Sequence, residues 1–136
     1  MILIAAVDDA GGMMFNRRRQ SQDRILREKI LSLTGGGVLW MNAYTAGQFP
    51  EGAPVQVDEA CLDRAGAGEY CLIENLSAKS HGGEIEKLIL FHWNRRYPGD
   101  FFFDIDVTAP GWALLETEEF PGSSHEKITM EVYAHA

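Results

Sequence analysis

The run Ile2–Val7, ILIAAV, constrains the fold of this chain more than any other stretch. Its six consecutive apolar residues lack the period-two polarity of a strand wetted on one side. They fit a strand buried on both faces in the middle of a sheet. Asp8 and Asp9 stop the run, and Asp-Asp-Ala-Gly-Gly is turn composition. Its carboxylates can accept hydrogen bonds from the next amides, and its glycines can take positive φ. The chain thus leaves the strand at its carboxyl end, where ligands sit in open α/β sheets.

Residues 11–23, GGMMFNRRRQSQD, read as a loop of unusual composition. Asp and Glu total 20 against 12 Lys and Arg, a formal net charge of -8, yet Arg17, Arg18 and Arg19 are consecutive. With Asn16 and Gln20 beside them they offer planar donors suited to phosphate or carboxylate. A solvated segment balanced by Asp8, Asp9 or Asp23 is an equal reading, since exposed ion pairs contribute little. Two glycines allow the backbone to turn, while Met13, Met14 and Phe15 supply adaptable apolar surface.

Residues 21–34 carry the strongest helix signal. Ser21 suits the N-cap and Asp23 the first turn, Leu26, Ile30 and Leu33 fall on one face, and Gly35, Gly36 and Gly37 provide the stop. Asp23 and Arg27 are spaced for an i,i+4 pair. Residues 38–41 read as a second buried strand, and Asn42 as the cap of a short helix. Short strands at 54–57 and 70–73 flank a helix capped by Asp58 and running through Cys61 and Leu62 to Arg64. Residues 77–83 read as a polar loop and 86–93 as a strong strand. Residues 112–119 and 128–133 read as antiparallel strands, the latter alternating Ile128, Met130 and Val132 with Thr129, Glu131 and Tyr133. This order predicts one α/β domain over residues 1–136: a central, mostly parallel sheet with an antiparallel C-terminal hairpin and reduced helices.

Composition narrows the function classes. No apolar run approaches the roughly 20 residues that span a bilayer, and the N-terminus lacks the basic flank and cleavage pattern of a signal peptide. Cys61 and Cys71 have no partners at metal-ligand spacing and read as buried free thiols. A cytoplasmic protein is expected, with no membrane partner. The acidic balance argues against a nucleic-acid polymer as partner. His81, His92, His125 and His135 show no metal-binding spacing, so no metal site is expected. His125, in Ser-Ser-His-Glu-Lys, either approaches a ligand or forms the tip of the final hairpin.

Several motifs, taken in order, resemble those of dihydrofolate reductase. MILIAAVDDAGGM resembles that family's first strand and the mobile loop after it. SLTGGGVLWMNAYTAGQF resembles the segment in which a helix ends, a strand rises to a Met and a Thr opens the next helix. LILFHWNRRYPGDFFFDIDVTAPGW resembles the late strand and its Gly-Asp-x-Phe-Phe turn, with Gly99, Asp100, Phe102, Phe103 and Trp112 in matching places. The tail through Phe120, Ser124, His125 and Val132 resembles the closing hairpin. The resemblance covers nearly the whole chain and implies a dihydrofolate reductase-like fold.

The same resemblance implies NADPH as cofactor, but the phosphate-binding motifs are degenerate. Met41, Asn42 and Thr45 fill the family's frame, Ala43 stands at the position of its Arg, and only Gly82 and Gly83 answer to a later triple glycine. It also implies a carboxylate near the start of the first helix that meets a pterin ring, where Asp23 and Glu28 are the candidate catalytic acids. The expectation is a protein without standard NADPH and folate chemistry, binding a small anionic or nucleotide-like molecule. Its contacts would be Arg17, Arg18, Arg19, Asn42, Thr45 and His125. The alternatives are an active reductase with altered cofactor binding, or a non-catalytic homodimer joined through exposed Trp93, Tyr97 and Phe101.

Overall fold

The computed structural model describes residues 1–135. The ILIAAV run forms β1 (Ile2–Val7), which lies inside the sheet as its apolar character requires. It pairs in parallel with β6 (Tyr70–Leu72) on one side and β7 (Lys87–His92) on the other. Beyond β6 come β4 (Leu39–Met41) and β5 (Gln56–Val57), also parallel. Beyond β7 come β10 (Ile128–His135) and β9 (Trp112–Phe120), both antiparallel. The order β5-β4-β6-β1-β7-β10-β9 is the mostly parallel sheet with an antiparallel C-terminal hairpin that the sequence predicts.

The pleat of β1 divides the core into two layers. Leu3, Ala5 and Val7 point to one side, packing with Cys61, Ile85 and Leu88, whereas Ile4 joins Leu26, Ile30 and Phe91 on the other. The second layer is covered by α1 (Arg24–Leu33), whose Leu26 and Ile30 are buried. The remaining α-helices, α2 (Ala43–Ala46) and α3 (Cys61–Arg64), have 4 residues each. No helix among the described residues is long and apolar enough to cross a membrane.

Several elements differ from the sequence reading. Residues 11–23 contain two short strands, β2 (Gly12–Phe15) and β3 (Arg18–Arg19), which join β8 (Phe101–Phe102) in a separate sheet of order β3-β2-β8. Phe15 pairs with Arg18, leaving Asn16 and Arg17 as a two-residue connection with φ of 51° and 63°. Positive φ at both central positions is the type I′ geometry that matches the twist of a hairpin. The helix begins later than its Ser21 signal suggests, because Asp23 takes the N-cap with extended backbone. The Asp23–Arg27 pair does not form: Asp23 is turned onto the helix end, and Arg27 Nη1 donates to Gln22 Oε1 at 3.2 Å.

The strand expected from residue 54 is confined to Gln56–Val57, since Pro54 has no N–H to contribute. Asp58 accepts from the Ala60 amide at 2.7 Å, and Ala60, two residues on, takes the N-cap position of α3 instead. The polar loop near residue 80 is coiled into a 3-10 helix, Lys79–Glu84.

Candidate functional site

The residues joining β9 to β10 fold back onto the start of α1. At their tip the Gly122 amide donates to the His125 carbonyl at 3.0 Å, turning the Ser123 and Ser124 amides toward Asp23. Asp23 Oδ1 accepts from the amides of Ile25 at 2.9 Å, Leu26 at 3.2 Å and Ser123 at 3.0 Å. Oδ2 accepts from the Ser124 amide at 2.8 Å and lies 2.9 Å from His125 Nδ1. Both side chains of the pair are buried, 0% and 2% exposed. Burial opposes ionisation of Asp23, but the Ser123 amide, His125 and the Ser124 and Leu26 amides outweigh it, so its carboxyl titrates well below the usual range.

Facing an ionised Asp23, His125 Nδ1 is the donor, and in the neutral imidazole Nε2 is then the acceptor. Two hydroxyls face that nitrogen, Tyr97 at 3.0 Å and Ser21 at 3.1 Å. Trp93 stacks on the imidazole with centroids 4.5 Å apart and planes 24° from parallel. This corrects the expectation that Trp93 is an exposed aromatic: it is 5% exposed because its ring is sandwiched into the α1-side core against His125. Tyr97 and Phe101 are half-buried. Ser21 and Asp23 border a cavity of about 30 Å³ walled by Leu26, Ile30, Leu72 and Trp93. At roughly 10–15 Å³ per water-sized group, that space takes about two such groups and no fused ring.

The arginines diverge. Arg19 is committed to Glu74 through Nε at 2.9 Å and Nη2 at 3.2 Å, with its guanidinium 4.5 Å from the centre of the Tyr44 ring. Arg18 is exposed beside Tyr97 and Pro98. Arg17 has no ion-pair partner among the described residues and stands at the rim of a cleft of about 510 Å³ with Met14, Asn16, Asn75, Asp100 and Phe101. None of the three pairs with Asp8, Asp9 or Asp23.

Behind the cleft, Asn42 Nδ2 donates to Asn75 Oδ1 at 2.8 Å while Asn42 Oδ1 caps α2 through the Thr45 amide at 3.0 Å. Thr45 is wholly buried, and its Oγ1 has no hydrogen-bond partner among the described residues. Glu28 lies on the exposed face of α1, 2.9 Å from Arg24, away from Asp23 and the cavity. The structure therefore brings Arg17 and Asn42 toward one cleft, Asp23 and His125 into one cluster, and leaves Arg18 and Glu28 apart from both.

No family model matches the chain, and no curated protein does. Among solved structures it is similar to a dihydrofolate reductase from Enterococcus faecalis in complex with NADP(H) and RAB-propyl. The two superpose with a TM-score of 0.67 over 99% of this chain and 96% of that one, at 18% sequence identity. The fold is that of dihydrofolate reductase.

Within that reductase-like frame, the start of α2 is where the resemblance locates the grip on cofactor phosphates. Here the Ala43 amide already donates to Glu59 Oε2 at 2.9 Å. A carboxylate at that amide repels a phosphate, and Ala43 offers no cation against it. The second glycine motif is no better suited: Gly82 and Gly83 lie in the 3-10 helix, next to His81, which is held by Asp63 Oδ1 at 3.0 Å. At both segments a carboxylate, Glu59 or Asp63, already occupies a donor that the resemblance would turn to phosphate.

The sequence reading missed Ser21, Tyr97, Trp93 and Asn75 as site residues. Ser21 was visible only as a capping residue, and nothing local to Tyr97 or Trp93 signals a histidine from the last hairpin. Asn75 had one local cue, its place just after a buried strand end.

Proposed function

We propose that this reductase-like domain binds a small anionic, nucleotide-like molecule in the cleft at Arg17 and lacks NADPH-dependent folate reduction. The observation that carries the reading is Arg17 itself. It occupies a turn position with φ of 63°, where glycine is the unstrained choice, and yet presents an unpaired guanidinium to a cleft of about 510 Å³. Left-handed backbone at a residue other than glycine is uncommon, and such positions cluster at ligand sites. Met14 and Phe101 supply apolar surface for a flat ring, Arg17 a partner for an anion and Asn75 an amide to orient it, while Asp100 is engaged by the Asn16 amide at 3.0 Å. The cleft's size falls in the range of small-molecule sites, about 300–1,000 Å³.

Further support against the nicotinamide reaction comes from Glu59 on the α2 amide and from the small cavity beside Asp23. The test is thermal unfolding with nucleoside monophosphates, pterins, NADPH and inorganic phosphate at millimolar concentration. A nucleotide-dependent rise in Tm that disappears in R17A is expected. No shift with any compound, or an equal shift in R17A, overturns the binding reading. NADPH oxidation dependent on dihydrofolate above the buffer rate overturns the second part.

A further inference from the structure

Asp23, His125 and Ser21 stand in a row, acid, base and hydroxyl. Asp23 Oδ2 is 2.9 Å from His125 Nδ1, and His125 Nε2 is 3.1 Å from Ser21 Oγ. Capping α1 uses Asp23 Oδ1 alone, so the alignment of Oδ2 with the imidazole is not explained by the helix. The carboxylate favours the tautomer in which Nε2 is an acceptor, facing the hydroxyls of both Tyr97 at 3.0 Å and Ser21 at 3.1 Å, and an acceptor nitrogen beside a serine hydroxyl is the arrangement that activates a serine. Burial is graded in the matching sense: Asp23 and His125 are covered, whereas Ser21 is partly exposed and borders the cavity. The Tyr97 hydroxyl is 3.0 Å from His125 Nε2 and 3.4 Å from Ser21 Oγ, so it shares Nε2 with Ser21 at rest and is released to donate to the oxyanion once Nε2 has taken the serine proton.

We propose that Ser21 is a nucleophile toward small activated acyl esters, with His125 as its general base. Ser21 Oγ bonds to the acyl carbon as its proton passes to His125 Nε2. The tetrahedral oxyanion then collapses, the ester C–O bond breaks, and the leaving oxygen takes the proton from His125. Water attacks the acyl-serine in the second half, giving one proton to His125, which returns it to Ser21 Oγ as the carboxylic acid departs. The walls of Leu26, Ile30 and Trp93 and a volume of about 30 Å³ restrict the acyl group to the size of acetyl. This site is separate from the Arg17 cleft and does not depend on it.

The probe is p-nitrophenyl acetate, followed by nitrophenolate release and by peptide mass mapping of the quenched protein. An acetyl group on Ser21 is expected, with release falling by about 10²-fold or more in S21A. H125A should fall comparably and recover part of the rate with free imidazole, a rescue that a merely structural histidine would not give. Release from S21A equal to that of the unaltered protein, or an acetyl map without Ser21, overturns the proposal. Where H125A fails to fold, S21A decides, because its hydroxyl lies at the partly exposed edge of the cluster.

Discussion

At the residue scale Asp23 concentrates the most consequence. One buried carboxylate caps α1, receives two hairpin amides and holds His125, so its removal leaves several buried donors unmatched. D23A is expected to cost about 1–3 kcal/mol, the penalty for leaving buried donors unsatisfied, measurable by urea unfolding at neutral pH. The pH dependence follows from the depressed titration of this group. Its contribution is fully present above the ordinary value of 3.8 and is lost as pH falls through the lower folded value. Stability of the unaltered protein should therefore decline more steeply below about pH 4 than that of D23N, as urea midpoints across that interval would report. The sequence marked Asp23 as an acid near a helix start, which was right about its element. Its partners lie about a hundred positions away, and no local pattern encodes a contact of that span.

At the element scale the two hairpin tips impose opposite demands. In the β9–β10 tip, a Cβ at Gly122 would lie 2.5 Å from Asp23 Oδ2 and 2.9 Å from Ile128 Cδ1. G122A should destabilise by about 1–3 kcal/mol, the cost of overpacking, visible as a lower urea midpoint at unchanged slope. In the β2–β3 tip, Arg17 holds a φ of 63° that glycine would adopt freely. R17G is expected to raise stability by roughly 0.5 kcal/mol, since relief of strain is partly offset by a freer unfolded chain, while abolishing nucleotide-dependent stabilisation. This hairpin was hidden in the sequence because its strands are short and its turn is Asn-Arg instead of Asn-Gly, the pair that signals type I′ geometry. β1 and α1 were legible because a six-residue apolar run closed by turn residues is too short for a helix, and a 3.6-residue apolar period fits no strand.

At the scale of the whole molecule the topology places the last strand inside the sheet. β10 lies between β7 and β9, and its buried Ile128 and Met130 complete the layer that α1 covers. Deleting residues 128–136 should abolish the cooperative thermal transition, because β7 would lose one of its two neighbours and β9 its one pairing among the described residues. The sheet order was legible as a class, parallel then antiparallel, from the alternation of helix-like and strand-like stretches followed by strands alone. The folding of the last hairpin onto α1 was not, because it depends on how two layers close and not on any stretch taken alone. The inserted position of β10 also reaches into synthesis. While residues up to 127 have emerged from a ribosome, β1 and β7 are available to pair, but the clasp at His125 has no strand to anchor its far side. Such a nascent chain is expected to stay open to proteases until the strand Ile128–His135 has cleared the exit tunnel and can enter between β7 and β9.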